Sequence, residues 1–202
     1  MQEVVANFLR GRYVDHYRDG QPSERRGNAL VGGVPGGAYP CAPGGPNDYA
    51  YIYVQPMNQD MWRAFATAVD REDLLADARY KDPKARWEHR DTLNALVTAW
   101  TSARTKHEVM ATLGKAGVPC GATLDTGEIL DDPHLNARGQ IHTIEHATRG
   151  RFRLPGSPVH LSASEAPTTP PPLAGQHTAE VLAEFGLSAD EVAKLRAAGV
   201  LG

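Results

Sequence analysis

The stretch Gly117–Pro133, GVPCGATLDTGEILDDP, limits most strongly how this chain can fold. Gly117, Pro119 and Gly121 follow one another too closely for a helix to continue, so the helix-patterned run before them must stop here. Val118 and Cys120 between them are small and apolar, suited to close packing. Ahead of the stretch lie several helical periodicities; beyond it lie short alternating segments, a proline-rich length and a final helical pattern. A chain that changes character in this way is expected to be α+β.

Before the stretch, Val4, Val5, Phe8 and Leu9 make one apolar helical stripe that starts without an N-cap. An uncapped start suggests a chain that begins partway through an element. Residues 18–33 form a polar, turn-rich connection. GGVPGGAYPC then holds four glycines and two prolines within ten residues and reads as a surface loop. Glycines in such a loop also let a ligand approach the backbone closely. DYAYIYVQP alternates as a strand, with Tyr49, Tyr51 and Tyr53 on one side and Ala50, Ile52 and Val54 on the other. The tyrosine side is expected to pack against helices; a stacking platform for a ligand is the sharper alternative. Helical stripes follow at Met61, Trp62, Phe65, Ala66 and Val69, then at Leu93, Leu96, Val97 and Trp100, then at Val109, Met110 and Leu113. Asn58 caps the first of these, and Thr105 with Glu108 forms a capping box for the last. Residues 45–125 are thus expected to form a small α+β unit.

Beyond the stretch, Asp125 or Thr126 opens a short helical turn that ends at the DDP of 131–133. Ile141–Glu145 and Phe152–Leu154 read as two strands of a hairpin turning at ATRG. Ala163–Pro172 holds four prolines and is expected to be an extended arm. Val181, Leu182, Phe185 and Leu187 precede a second short helix capped by Ser188 with Glu191 and carrying Val192, Leu195 and Val200.

The chemistry-bearing residues are sparse. Net charge is −3, which offers no basic surface for nucleic acid. No stretch approaches the ~20 apolar residues of a membrane span, and no secretory leader pattern opens the chain, so a cytoplasmic location is the expectation. Cys41 and Cys120 read as reduced packing thiols rather than nucleophiles or a disulfide. His142 and His146 lack partners with metal-ligand spacing. Asp125, Asp131 and Asp132 fit a surface helix end as well as a carboxylate site. Neither GxGxxG nor GxxxxGK[ST] nor GxSxG occurs. No residue identifies itself as a catalyst by this reasoning.

Several stretches, taken in order, resemble one family. They are RRGN at 25–28, GAYPC at 37–41, the strand around Tyr51, AGVPCG at 116–121, DPHL at 132–135, and PPLAGQHTAEVLAEFGLSADEVAKLRAAGV at 171–200. This pattern resembles the class III CoA-transferases, the family of formyl-CoA transferase, carnitine CoA-transferase and 2-methylacyl-CoA racemase. The resemblance covers only the second half of the family's usual length. It implies a small domain of that fold over 45–125. Residues 1–44 and 126–202 would then belong with an incomplete Rossmann-like large domain. The N-terminal half of such proteins carries the catalytic aspartate, which therefore has no counterpart here. The glycine-rich active-site loop is carried over to Gly32, Gly33, Gly36 and Gly37, although the family's unbroken glycine run is not preserved. The substrates implied are a CoA thioester (acyl-CoA) and a carboxylic acid, with no permanently bound cofactor. An N-terminal half or partner subunit, and an interlocked dimer, are implied as well. An acyl-CoA racemase and a non-catalytic interaction subunit are the alternatives. On this reading the stripes at Val4–Leu9 and Val181–Phe185 should lack cover.

Overall fold

The computed structural model describes residues 1–22, 25, 27, 33–164 and 167–201. The chain falls into two compact units, Met1–Thr123 and Leu124–Gly202. The first begins with helices α1 (Gln2–Phe8) and α2 (Arg10–Asp19). Strands β1 (Gly36–Pro40) and β2 (Tyr49–Tyr53) follow, then helices α3 (Gln59–Ala68) and α4 (Asp73–Ala76), a 3-10 turn at Ala78–Tyr80, and helices α5 (Pro83–Glu88), α6 (Arg90–Ser102) and α7 (Lys106–Lys115). Strand β3 (Cys120–Ala122) closes the unit.

The three strands form an antiparallel sheet in the order β1-β2-β3, with Ala38 opposite Tyr51 and Tyr51 opposite Gly121. Its inner face carries Ala50 and Ile52, both fully buried. These join Tyr39, Val54, Trp62, Phe65, Leu93, Val97, Val109, Leu113 and Val118 in one apolar cluster. Each fully buried aliphatic or aromatic side chain of this kind stabilises the fold by roughly 1.5–3 kcal/mol. The stripes on α3 and α6 pack against it, as does α7 through Val109 and Leu113; Met110, expected to face inward with them, is instead 39% exposed.

Local signals set the helix limits. The Asn58 side chain accepts the Met61 N–H at 2.9 Å, and Thr105 and Glu108 form the expected capping box. Helix α7 stops at Gly117, whose φ of 75° lies in the left-handed region. The Val118 N–H reaches back to Leu113 O and the Gly117 N–H to Gly114 O, both at 3.0 Å. These two bonds satisfy carbonyls that a helix end leaves open, and the buried side chains of Leu113 and Val118 lie at the same stop.

Arg86 is buried inside this unit, 1% exposed, where desolvation pushes its pKa down. Its guanidinium donates to Tyr80 O at 3.1 Å and Pro56 O at 3.0 Å, and lies 4.9 Å over the Trp62 ring. A buried guanidinium must be hydrogen-bonded, and here carbonyls from two connections do that. The arginine therefore ties the turn before α3 to the turn before α5.

Two expectations change. GGVPGGAYPC reads as a loop, yet Gly36–Pro40 is strand β1. Pairing with β2 overrides the poor strand propensity of glycine and proline, since Val54 N–H donates to Pro35 O and Cys41 N–H to Asp48 O beyond the ladder itself. This pairing also joins residues on either side of the division expected at 44/45. Cys120–Ala122 likewise becomes a strand, so β2 is the centre of a sheet rather than a lone strand.

In the second unit, α8 (Thr126–Asp131) and α9 (Pro133–Ala137) precede the hairpin β4 (Ile141–His146) and β5 (Gly150–Pro155). Helices α10 (Thr178–Glu184) and α11 (Ala189–Ala197) end the chain. Pro133 does more than close α8: Asp132 accepts the Leu135 N–H at 2.7 Å, and the proline opens α9 at its first turn, where no N–H is needed. Ser188 and Glu191 form the capping box of α11. Of the proline-rich length, the described residues 163, 164 and 167–172 contain no helix or strand. The core here is thin; Ile144 and Val192 are its buried apolar side chains among the described residues.

Candidate functional site

The glycines carried over from the family resemblance separate on β1. Gly32 lies outside the described residues, as do Arg26 and Asn28 of the RRGN stretch. Gly33 is buried just before the strand. Gly37 pairs with Ile52 on the core face, and Gly36 pairs with Tyr53 on the opposite face. Gly36 and Gly37 are thus held in a ladder and do not form a flexible loop.

The outer face of the sheet gathers Gly36, Ala38 and Pro40 of β1, Tyr53, Tyr51 and Tyr49 of β2, and Gly121 of β3. Tyr51 stands between Ala38 and Gly121, both too small to cover it, and remains 43% exposed. The helices pack on the other face, so the tyrosine side is not the helix-covered side expected from the sequence. Aromatic faces with hydroxyl tips can stack on a ligand and hydrogen-bond it. This face brings Gly36 and the tyrosine row together on one surface.

Two buried polar groups brace it. The Tyr39 hydroxyl donates to Asn94 Oδ1 at 2.6 Å, and burial pushes the phenol up to about 12. The Lys106 ammonium donates to Asn47 O at 3.1 Å and Thr123 O at 3.0 Å, linking the approach to β2 with the exit of β3. Its position at the first turn of α7 gives no local sequence signal of that role. The partners are 59 and 17 residues away in sequence.

The other candidates resolve into structural roles. Asp125 caps α8, Asp132 caps α9, and Asp131 pairs with Arg153 at 2.7 Å. Cys41 and Cys120 are free thiols, and burial pushes both above the ordinary thiol range, which disfavours the reactive thiolate. Among the described residues no group of three His, Cys, Asp or Glu could hold a metal ion. Also among them, no helix is long and apolar enough to cross a membrane.

Known proteins share both the fold and the sequence. A crystal structure of a CAIB/BAIF family protein from Brucella suis matches with a TM-score of 0.69 and 24% identity, covering 87% of this chain and 44% of that one. A Mycobacterium tuberculosis protein matches with a TM-score of 0.61 and 17% identity, over 88% of this chain and 44% of that one. Formyl-CoA:oxalate CoA-transferase of Streptomyces coelicolor is 37% identical over 215 aligned residues, covering 100% of this chain and 52% of that protein. The enzyme of the same name from an Escherichia coli O157:H7 strain is 34% identical, over 97% of this chain and 51% of its own length. The chain spans about half the length of these curated relatives. The sequence model of CoA-transferase family III matches residues 1–178, and the chain belongs to that family.

Proposed function

We propose that this chain is the C-terminal half of a class III CoA-transferase and moves CoA between an acyl-CoA and a carboxylic acid together with an N-terminal half. The observation that carries this reading is the 37% identity to a formyl-CoA:oxalate CoA-transferase along the entire chain. The nucleophilic aspartate belongs to the N-terminal half. Its carboxylate attacks the acyl thioester and expels CoA as thiolate, leaving an anhydride. The thiolate then attacks the aspartyl carbonyl, releases the first carboxylate and forms an aspartyl-CoA thioester for the second acid. This chain's part is to enclose the reacting atoms. With Gly36 and Gly37 held in β1, covering the intermediate against water falls to Gly32 and Gly33 ahead of the strand.

Exposed apolar residues support a missing cover. Phe8 is 84% exposed and Phe185 78%, with Val4, Val5, Leu9 and Val181 beside them on the same helical stripes. Apolar clusters of that kind mark interaction surfaces. The N-terminal half covers them, in an interlocked dimer located in the cytoplasm.

Co-purification from the native host tests the reading. A protein of the family's N-terminal half should accompany the chain. The pair should yield a hydroxylamine-sensitive acyl-enzyme and transfer CoA to a second carboxylate. Exchange of the α-proton in heavy water without CoA transfer would make the pair a racemase instead. Recovery of the chain alone, with no trapped carboxyl, would leave it an interaction subunit and sink the proposal.

A further inference from the structure

The second unit contains a cavity of about 320 Å³ whose lining includes Arg138, His142, Ser157, Val159, His160 and Leu161. That volume is at the lower end of small-molecule pockets, which run from about 300 to 1,000 Å³. Three local features build it. Helix α9 ends at Arg138, three residues before β4 begins. His142 lies on β4 opposite Leu154. The chain leaving β5 is clipped back to β4, as Gly156 N–H donates to Gln140 O at 2.8 Å and Gln140 Nε2 donates to Gly156 O at 2.9 Å.

Gly156 leaves room for the His142 ring, since a Cβ there would collide with the imidazole unless the ring moved aside. Ser157 is already committed, its Oγ donating to Val159 O and accepting the Val159 N–H, both at 3.2 Å, which folds the next wall. Arg138, His142 and His160 have no side-chain hydrogen bond or ion pair among the described residues. By contrast, Arg153 on the same hairpin pairs with Asp131 at 2.7 Å. The described lining holds no carboxylate.

We infer that this cavity binds a small ligand carrying an oxyanion, a carboxylate or a phosphate, with its apolar part against Val159 and Leu161. Arg138 supplies a planar fork of donors matched to such a group, and each imidazole supplies at least one further N–H. Two histidines without a third ligand make no metal site, in keeping with the absence of such groups among the described residues. This inference is independent of the CoA-transferase reading, and either can fail while the other stands.

Titration of the full chain with acetate, butyrate and inorganic phosphate, at ionic strength held constant with chloride, tests it by the NMR ring signals of the histidines. Saturable shifts confined to His142 and His160 are expected. Arg138→Gln should weaken binding by roughly tenfold, the cost of losing a charge-assisted pair. Arg151→Gln, on the same hairpin but outside the lining, should change it by less than about twofold. Each methylene buried beyond acetate should tighten a carboxylate by roughly two- to fourfold. Phosphate binding most tightly, with acetate and butyrate alike, assigns a phosphate group; the reverse assigns a carboxylate. Shifts that never saturate, or equal losses in R138Q and R151Q, overturn the site. Because Arg138 is exposed, an unchanged melting midpoint for R138Q checks separately that the variant is folded.

Discussion

Helices α3, α6 and α7 and helices α1 and α10 carry the same kind of apolar stripe, and the structure treats them differently. Phe65, Leu93, Val97, Val109 and Leu113 are buried against the sheet. Val4, Val5, Phe8, Val181 and Phe185 face outward. Periodicity specifies that a helix has a side to hide and does not specify what hides it. In the first group the partner is the β1-β2-β3 sheet, supplied by the same stretch of chain, 36–122. In the second group Phe8 and Phe185 stay 84% and 78% exposed, and exposed apolar clusters of that kind mark interaction surfaces.

The strongest way to break that contrast is truncation on both sides of it. Phe65→Ala should cost about 3–5 kcal/mol, because it removes a fully buried ring and leaves a cavity. Phe8→Ala should change stability by less than about 0.5 kcal/mol in the chain alone, as exposed substitutions do. Urea unfolding followed by tryptophan fluorescence reads the comparison cleanly, since Trp62, Trp87 and Trp100 all lie in the first unit. Equal effects would mean that α1 is covered in solution.

Arg86 gives a sharper test of how self-contained the sheet unit is. Arg86→Met keeps the apolar stem over Trp62 but strands the carbonyls of Pro56 and Tyr80. The expected loss is about 2–4 kcal/mol, from buried acceptors left without donors. The same fluorescence-detected unfolding measures it, and a loss below about 1 kcal/mol would show that water replaces the guanidinium.

Tyr39 supplies a pH dependence confined to the same unit. Its folded pKa stands at about 12, above the ordinary tyrosine value near 10. The unfolded chain therefore loses this proton first as the pH rises. The stability involved is fully present below pH ~10 and declines through pH ~12, by roughly 2–3 kcal/mol in total. Tyr39→Phe should remove that alkaline slope and cost about 1 kcal/mol at neutral pH for the lost bond to Asn94. An unchanged slope in Y39F would place the dependence on another group.

The same contrast explains what could be read from the sequence. Caps and stops depend on neighbours a few residues away, so Asn58, the Thr105–Glu108 box, Gly117 and the Ser188–Glu191 box were all legible. Strands β1 and β3 were not, because glycine, proline and alanine have little strand character and become strands here by pairing with β2. Pro133 was half legible: it signals both an ending and a beginning, and Asp132 decides for both. The family came through scattered stretches in a fixed order. The Arg138–His142–His160 cavity did not come through, because three segments without any shared motif assemble it.

The smallest expected effect separates local helix chemistry from tertiary cover. Helix α3 ends as α7 does: Asp70 N–H donates to Thr67 O and Arg71 N–H to Ala66 O. Where α7 places Gly117, however, α3 places Asp70 at φ 57°. An L-residue with a Cβ meets steric cost in that region, which glycine does not. Asp70→Gly should therefore stabilise the first unit by about 0.5–1 kcal/mol, less whatever the more flexible unfolded chain takes back. The converse change, Gly117→Ala, should destabilise by a similar or larger amount, because its stop also anchors Val118 in the core. If D70G proves neutral while G117A is costly, the tertiary anchor and not the left-handed backbone dominates these stops.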